Sequence, residues 1–446
     1  MRGNGDSWRK YRWHWKCAEK TVLTEKLIHY FRQIPDYRCG REKRHDLGEM
    51  LVCVTLGFLC GRTTIRRSLK WCKTHLEELR KHMNLKYGIA SPSTITRMLN
   101  GIDEELALYA FMEWIGEIVE SRNTHLAIDG KALCGATEKT KGETTPMLLN
   151  VVETVRGLIL AQLPVDSKTN EITAIPELLK LLDISGSIVT IDAVGTQTAI
   201  MEQIHEQGGH FVLTVKKNQP EAYEEIHTFM DKLGAEDLKR KKGEAMDPGM
   251  KEFLEKYEEI SQMEKNRDRN EYRTCQICKD ASNLTKSQKE WPHVQSIGRI
   301  KQVRIPQEKD SQGNDVTPSK EEFLEKGSRR IPAPSAGEGA GKDVQCTALI
   351  SDLILTAEEL GSIKRMHWSI ENRLHHVLDD TFREDRSPAK KSRNNLSLIR
   401  KYAYNILRLA MYETGLANIM TEMMDCFCDN AALRERYVFQ GIASLY

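Results

Sequence analysis

Residues 125–131 have the sequence HLAIDGK, and this stretch decides the fold. Apolar and polar positions alternate in it, which is typical of a half-buried β-strand that ends at Asp129. A second stretch, SIVTIDA at residues 187–193, repeats the pattern and ends at Asp192. Ligands of α/β proteins bind beyond the carboxyl ends of strands, so both aspartates are candidate site residues. We expect Gly130 to let the chain turn away after the first strand.

Two interpretations of these aspartates remain open. An aspartate at the end of a strand often caps a turn or the next helix. Two carboxylates, each at the end of a strand, can also form an oxygen-rich site, which suits a hard cation such as Mg²⁺.

The surrounding pattern predicts a helical region followed by an α/β region. Residues 22–120 show helical spacing of apolar residues, and Ser91 followed by Pro92 predicts the start of a helix. After residue 124, short strands and helices alternate, as in an α/β protein with a mixed sheet. The strands and helices expected there are strands at 124–129, 147–154, 158–165, 187–192 and 210–215 and helices at 172–182 and 197–207.

The second half of the chain begins with a region of different composition. It predicts a charged helix over 220–265, strands over 272–278 and 293–305, and a polar mobile loop over 306–342. A strand at 347–355 and helices at 357–378 and 394–411 follow. We therefore expect domain limits of 1–120, 121–218, 219–345 and 346–412, with a tail at 413–446.

Charge is divided unevenly along the chain. The first 100 residues carry 21 Lys and Arg against 9 Asp and Glu, a net +12, whereas the other 346 carry 45 against 55, a net −10. A basic module joined to an acidic remainder is typical of polyanion binding, although a solvated basic surface would look the same. An exposed Arg97 and the residues upstream of it form a basic helical cluster, whose other members are Arg62, Arg66, Arg67, Lys70 and Lys73.

Composition excludes several classes of protein. With 446 residues, 40% hydrophobic and 29% charged, the chain can bury a real core and is not disordered or fibrous. The mean hydropathy is −0.52, and no apolar run approaches the ~18 residues of a spanning helix, so we expect a cytoplasmic protein without a membrane partner. The 11 cysteines indicate reduced thiols; zinc at Cys275 and Cys278 is a weaker alternative.

A third carboxylate lies on a predicted helix at residues 365–380, RMHWSIENRLHHVLDD. His367, Glu371 and His375 are four residues apart and would share one helical face. A salt-bridged surface helix and, less favoured, a zinc site are the alternatives, because the spacing lacks the arrangement of a zinc protease helix.

The chain resembles the DDE-type transposases of bacterial insertion sequences, specifically the H-repeat-associated family, from about Leu27 to Met411. The stretches that carry the resemblance are FRQIPDYR (31–38), SPST (91–94) with Arg97, AIDGK (127–131), IDA (191–193) with Gln197, FVLTVKKNQ (211–219), RNEYR (269–273), WP (291–292), HWSIEN (367–372), LD (378–379) and FRED (382–385).

This resemblance implies an α/β fold with a ribonuclease H-like mixed-sheet core, a helical N-terminal domain and a β-containing insertion before the last catalytic helix. Asp129, Asp192 and Glu371 would form the acidic triad, at spacings of 63 and 179 residues. They would hold two Mg²⁺ or Mn²⁺ ions for cleavage at the element ends and strand transfer. The implied partners are terminal inverted repeats, target DNA and a second copy in a homodimer near the bacterial nucleoid. A nuclease that does not join ends and an inactive DNA-binding derivative are the alternatives.

One departure from related transposases concerns the surroundings of the glutamate. Those transposases often carry Tyr, Arg and Lys at minus seven, minus four and plus seven, where this chain has Lys364, His367 and Leu378. Asp379 is therefore a fallback third acid. Residues 361–408 carry a net +6, from 11 basic and 5 acidic side chains. The candidate DNA contacts are Lys131, Lys216, Lys217, Lys364, Arg365, His367, Arg373 and Arg97.

Overall fold

The computed structural model describes residues 25–38, 43–133, 145–165, 171–266, 269–284, 291–306, 308–309, 315–316, 344–387, 389–443 and 445. The chain forms two compact units. The first contains Met1–Ser187 and Trp368–Tyr446, and the second contains Ile188–His367. The domain limits expected from the sequence stay a prediction.

Among the described residues before β1, the first unit contains the helices α1 (Leu27–Gln33), α2 (Leu47–Leu59), α3 (Ile65–Thr74), α4 (Leu76–Leu79), α5 (Pro92–Gly101) and α6 (Glu104–Gly116). The predicted helix start at Ser91 is confirmed, because the Ser91 side chain accepts the Thr94 N–H and Pro92 opens the helix. Thr64 caps α3 in the same way, by accepting the Arg67 N–H.

Three antiparallel strands follow in the first unit, β1 (His125–Ala132), β2 (Met147–Glu153) and β3 (Leu158–Val165), and then α7 (Glu171–Lys180). Strand β1 does not end at Asp129, as the sequence suggested. Asp129 pairs with Asn150 and Gly130 with Leu149, so the strand continues for three residues beyond the aspartate. The expected turn at Gly130 is therefore wrong, because the ladder with β2 keeps the backbone extended.

The C-terminal helices of the first unit are α13 (Arg393–Thr414), α14 (Met420–Asp429) and α15 (Ala431–Arg434). Helix α13 is buried on most of its surface. Its Tyr402 ring lies 4.7–4.8 Å from the rings of Phe31, Phe111 and Trp114. Its Asn405 side chain binds both the N–H (2.9 Å) and the carbonyl (2.8 Å) of Ile159, which fixes α13 on β3.

The second unit contains β4 (Ile188–Ile191), α8 (Thr198–Glu206), β5 (His210–Val215), α9 (Pro220–Lys242), α10 (Lys251–Glu255), β6 (Tyr257–Asn266), β7 (Arg269–Cys278), β8 (Ser296–Pro306), β9 (Glu308–Lys309), β10 (Asp315–Val316) and β11 (Val344–Ser351), and α12 (Ala357–Ile370) begins in it. Its main strands follow the order β4-β5-β11-β8-β7-β6. Only the β4–β5 pair is parallel in this set, so the sheet is mixed as predicted.

The expected helix over 220–265 is wrong in its second half. Helix α9 ends at Gly243, whose φ of +73° suits a left-handed C-cap, and residues 257–266 form β6 instead. Their charged side chains made the stretch look helical, but pairing with β7 along ten residues holds it extended. The predicted loop at 306–342 lies outside the described residues, apart from Pro306, β9 and β10.

In the described part of the chain, no helix is long and apolar enough to cross a membrane.

Cys275 and Cys278 are buried on β7. Burial raises the pKa of each thiol to about 11, so both are protonated near neutral pH.

The close approach of α2 and α3 generates a stability prediction. A Cβ on Gly57 would lie 2.1 Å from the Ser68 Cβ, so Gly57→Ala must push the two helices apart. We expect it to lower the free energy of unfolding by about 1–3 kcal/mol, measured by chemical denaturation. Gly116→Ala is the matched control, because no described atom lies within 4 Å of a Cβ there; it should gain up to about 1 kcal/mol. Equal effects of the two changes would contradict the packing argument.

Candidate functional site

Asp129 lies on β1 with its side chain 28% exposed. Its Oδ1 accepts the Gly130 N–H at 2.9 Å, and its Oδ2 lies 3.6 Å from Nδ1 of His375. Burial, with the positive charges of Lys131 and Lys401, lowers the pKa of His375 to about 4. The imidazole is therefore neutral near pH 7, and it does not neutralise the Asp129 carboxylate.

A carboxylate that the sequence did not single out lies against the β1 backbone at Gly130, on the face of the strand opposite to the Asp129 side chain. A Cβ on Gly130 would be 2.7 Å from Oε1 of Glu171 and 2.6 Å from Cε of Met147. The missing side chain of Gly130 thus makes room for Glu171 next to the β1 backbone. A glycine inside a strand is the one sequence signal of such a close approach.

The segment that carries Glu371 is helical but wider than an α-helix. Helix α12 ends at Ile370, and π-helical turns with i→i+5 bonding follow at Glu371–His375 and Val377–Thr381. Insertions of this kind are rare and occur frequently at functional sites. The three residues that were expected to share a face have different environments. His367 is buried with its Nδ1 3.0 Å from Thr190 Oγ1, Glu371 is exposed, and His375 lies beside Asp129.

A group of buried charges lies on the same face of β1, two residues after Asp129. We call Lys131, Asp379, Glu384, Asp385 and Arg400 the buried charge cluster. The Lys131 ammonium contacts Asp379 Oδ1 and lies 3.4 Å from Asp385 Oδ1 and 3.5 Å from Glu384 Oε2. Arg400 Nη1 lies 3.8 Å from Glu384 Oε1 on the other side. The side chains of Lys131, Glu384 and Arg400 are each only 3% exposed.

The surroundings favour the charged forms of Lys131 and Glu384. Burial opposes the charge on Lys131, but Glu384, Asp379 and Asp385 outweigh it and raise the pKa of the ammonium. Burial likewise opposes the charge on Glu384, but Arg400, Lys401 and Lys131 outweigh it and hold the pKa of that carboxyl below its usual range. Asp379 differs, because burial and the charges of Asp385 and Glu384 outweigh Lys131 and raise the pKa of its carboxyl.

Asp192 follows β4 in the second unit and begins a short 3-10 turn at Ala193–Gly195. Its side chain is 44% exposed, and its Oδ2 accepts a hydrogen bond from the Lys216 ammonium at 2.7 Å. Burial opposes ionisation, but Lys216 outweighs it and holds the pKa of Asp192 below its usual range. Asn218 and Gln219 donate to the carbonyls of Ala193 and Thr196, so the residues after β5 hold the turn after Asp192.

The predicted DNA contacts divide by burial. The exposed side chains are those of Arg97, Lys216, Lys217, Arg365 and Arg373. Two of them have acidic partners, since Lys216 pairs with Asp192 and Arg365 pairs with Glu264 at 2.7 Å. Lys131, Lys364 and His367 are buried; Lys364 donates to Thr214 Oγ1 at 2.8 Å. These three side chains have interior partners in place of the surface position that the sequence suggested.

The acidic triad stays a prediction. Asp129 and Glu371 belong to the first unit, and Asp192 belongs to the second unit. Glu371 lies four positions before His375, whose ring contacts Asp129. Within the residues that the structure describes, no three His, Cys, Asp or Glu side chains are gathered so as to hold a metal ion.

Comparison with known proteins identifies the family. A family model described as "Transposase DDE domain" matches residues 120–406, and one described as "DDE_Tnp_1-associated" matches residues 28–115. The chain belongs to the DDE transposase family. The match to the DDE domain spans Asp129, Asp192 and Glu371, and the resemblance to the H-repeat-associated group is confirmed.

Relatives of this DDE-family chain include "H repeat-associated putative transposase YhhI" of Escherichia coli, 28% identical over 388 residues, with 86% of this chain and 90% of YhhI covered. "Uncharacterized protein in dhlA 3'region" of Xanthobacter autotrophicus is 34% identical over 209 residues, with 45% and 69% covered. Among solved structures, a chain of a piggyBac transposase synaptic complex with hairpin DNA matches with a TM-score of 0.38 and 10% identity, covering 91% of this chain and 77% of that one. That likeness carries no argument.

The contact of Gly130 with Glu171 generates a second prediction. Gly130→Ala should move the Glu171 carboxyl by about 0.7 Å, because 2.7 Å must become at least 3.4 Å for an ordinary contact. The loss of stability should stay below about 1 kcal/mol, since both neighbouring atoms end flexible side chains and alanine is better than glycine in a strand. A crystal structure and a denaturation curve of the variant measure the two effects. An unmoved Glu171 with a loss above 3 kcal/mol would show that the backbone takes the strain instead.

Proposed function

We propose that this chain is an insertion-sequence transposase that cuts DNA at the element ends and joins those ends to target DNA. Asp129, Asp192 and Glu371 would be its acidic residues on a ribonuclease H-like core. The observation that carries the proposal is the match of the DDE domain across all three acids. The neighbourhood of Asp129 supports it, since the segment with Glu371 packs on β1 through His375.

The residues fit a divalent cation by their chemistry. Carboxylate oxygens are the donors that Mg²⁺ and Mn²⁺ prefer, and the side chains of Asp129 and Asp192 are 28% and 44% exposed. Asp129, Asp192 and Glu371 would hold the two ions. When bound, such ions supply Lewis-acid stabilisation of the attacking and leaving oxygens of the phosphodiester.

The two aspartates are prepared differently by the protein. Lys216 keeps Asp192 ionised and oriented before a cation binds, because its ammonium occupies Oδ2. Asp129 lies beside His375, which is neutral near pH 7 because its pKa is lowered to about 4. An ionised carboxylate at a half-buried position attracts a cation strongly.

Exposed cations of the first unit would bind the DNA backbone. Arg66, Lys70 and Lys73 are exposed on α3 and lie on one stripe, at spacings of four and three residues. The stripe covers about 10 Å of the helix. Contacts of this kind give affinity that depends on salt and little on sequence, and Arg97 and Arg373 would extend them. Pairing of two element ends would use a homodimer.

Substitution of the acids tests the proposal. Asp129→Asn, Asp192→Asn and Glu371→Gln keep the shape of each side chain and remove its charge. We expect each to lower metal-dependent cleavage of end-containing DNA by on the order of 100-fold or more, with DNA binding retained. Asp380→Asn, an exposed acid in the same segment, is the matched control. Removal of Mg²⁺ by a chelator should abolish cleavage by the wild-type protein. Full activity of any acid variant removes that residue from the site.

Pre-cut ends incubated with a target plasmid separate transposition from other outcomes. A joined product supports the transposase. Cutting without joining identifies a metal-dependent nuclease, and tight end binding without cutting identifies an inactive DNA-binding derivative.

The pairing of Lys216 with Asp192 generates a separate prediction about the cation. Because the ammonium competes with a divalent ion for Oδ2, Lys216→Met should tighten Mn²⁺ binding by up to about tenfold, measured by calorimetry. Lys217→Met, which changes the exposed neighbour, should leave the affinity unchanged. Weaker binding in Lys216→Met would show that the lysine organises the site and does not compete in it.

A further inference from the structure

We propose that Lys131 is a positioning residue that fixes the Glu371-bearing segment, residues 371–386, on strand β1 by pairing with Asp379 and Asp385. In this arrangement Asp379 is part of the ion pair that joins the two elements, and it is not a third catalytic acid. The proposal rests on the proposed function, because the Lys131 ion pairs would set the distance between Asp129 and Glu371.

The residue spacing on β1 matches the residue spacing on the helical segment. Asp129 and Lys131 are two residues apart on β1, so they face the same side and lie about 6.7 Å apart along the strand. His375 and Asp379 are four residues apart on the helical segment, close to one turn of a helix with i→i+5 bonding. Asp129 lies beside His375 and Lys131 contacts Asp379, so the two elements match at two successive points. A slip of one residue would break both contacts.

Contacts on the other side of the segment show that it is held in place there as well. The Tyr404 hydroxyl of α13 donates to the Arg373 carbonyl at 2.8 Å. Phe382 is 1% exposed, and its ring lies 6.5 Å from that of Phe58 on α2. Between Phe382 and Glu384, Arg383 adopts a φ of +52°, a left-handed conformation that a non-glycine residue keeps only when its surroundings impose it. Lys131 is thus the β1 contact of a segment that α13 and α2 hold from behind.

The burial of the charges allows a positioning role of Lys131 to be distinguished from a merely structural one. Buried ion pairs add little net stability compared with apolar residues of similar size, since the loss of hydration offsets their attraction. Removal of one partner is costly, because the other charge is left buried alone. Removal of both partners should therefore restore much of the stability, while the directional contact that sets the register stays lost.

The position of Asp379 argues against its use as a catalytic acid. Its Oδ1 contacts the Lys131 ammonium, and its side chain is 35% exposed. Asp385 and Glu384 approach the same ammonium from the far side of the turn at Arg383. Asp192 also has a lysine partner, but the Lys216 side chain is 56% exposed, whereas the Lys131 side chain is 3% exposed and holds Asp379 inside the protein.

The experiment compares Lys131→Met, Asp379→Asn and the double variant of the full-length protein with wild type. Asp380→Asn is the matched control, an exposed aspartate at the next position. Four quantities are measured: the midpoint of chemical unfolding, the Kd for end DNA, the single-turnover cleavage rate, and backbone hydrogen exchange of residues 371–386 with helix α14 as the internal reference.

We expect Lys131→Met to lower the unfolding midpoint most and the double variant to recover part of the loss. Cleavage should fall 10- to 100-fold in all three variants, the effect expected of a displacement of about 1 Å, while the Kd for DNA changes less than about twofold. Hydrogen exchange should accelerate in residues 371–386 and not in α14. Asp380→Asn should match wild type in every measurement.

Two outcomes would overturn the proposal. If the double variant is stable, exchanges like wild type in residues 371–386 and cleaves within twofold of it, the cluster is only a structural ion pair. If Asp379→Asn loses cleavage as completely as Glu371→Gln without faster exchange, Asp379 acts in the chemistry. If Lys131→Met does not fold, hydrogen exchange of residues 371–386 in Asp379→Asn tests the proposal instead. If the wild-type protein cuts no DNA, the proposed function is wrong, but hydrogen exchange still tests whether Lys131 holds residues 371–386 on β1.

Discussion

A lysine buried between carboxylates is the constraint on which the first unit depends. An ammonium with only 3% of its side chain exposed is tolerated only if negative charges surround it, and Lys131 has Asp379, Glu384 and Asp385 around it. Glu384 in turn requires Arg400 on its other side. These residues come from β1, from the π-helical segment with the turn after it, and from α13. Satisfying the charges therefore joins three parts of the chain that lie far apart in sequence.

The two aspartates of the candidate site have contrasting environments for the same chemical group. Asp192 has a charged partner, Lys216, and the turn behind it is hydrogen-bonded to Asn218 and Gln219. Asp129 lies beside a neutral imidazole, while the nearest lysine on its own strand is already used by other carboxylates. The buried ammonium of Lys131 in the first unit is thus paired with carboxylates of the Glu371 segment and of the turn after it.

Much of the fold could be predicted from local pattern. Strands β3 and β5 have the predicted limits, the Ser91 cap begins its helix as expected, and the mixed sheet was anticipated. The failures have a common cause, which is pairing with a distant partner. Strand β1 continues past Asp129 because β2 pairs with it, and residues 257–266 are extended because β7 pairs with them. Glu171 escaped notice because its only trace in the sequence is a glycine inside a strand.

The sequence alone determined the family, the two aspartate-bearing strands and the basic character of the first hundred residues, since all of these depend on residue identity and short spacing. Only the tertiary structure decided which lysines and histidines lie inside and which carboxylates they contact. Lys131 and Asp379 are 248 positions apart, and no local period relates them. The physical reason is that an ion pair depends on distance in space, and the packing of β1, α13 and the π-helical segment sets that distance.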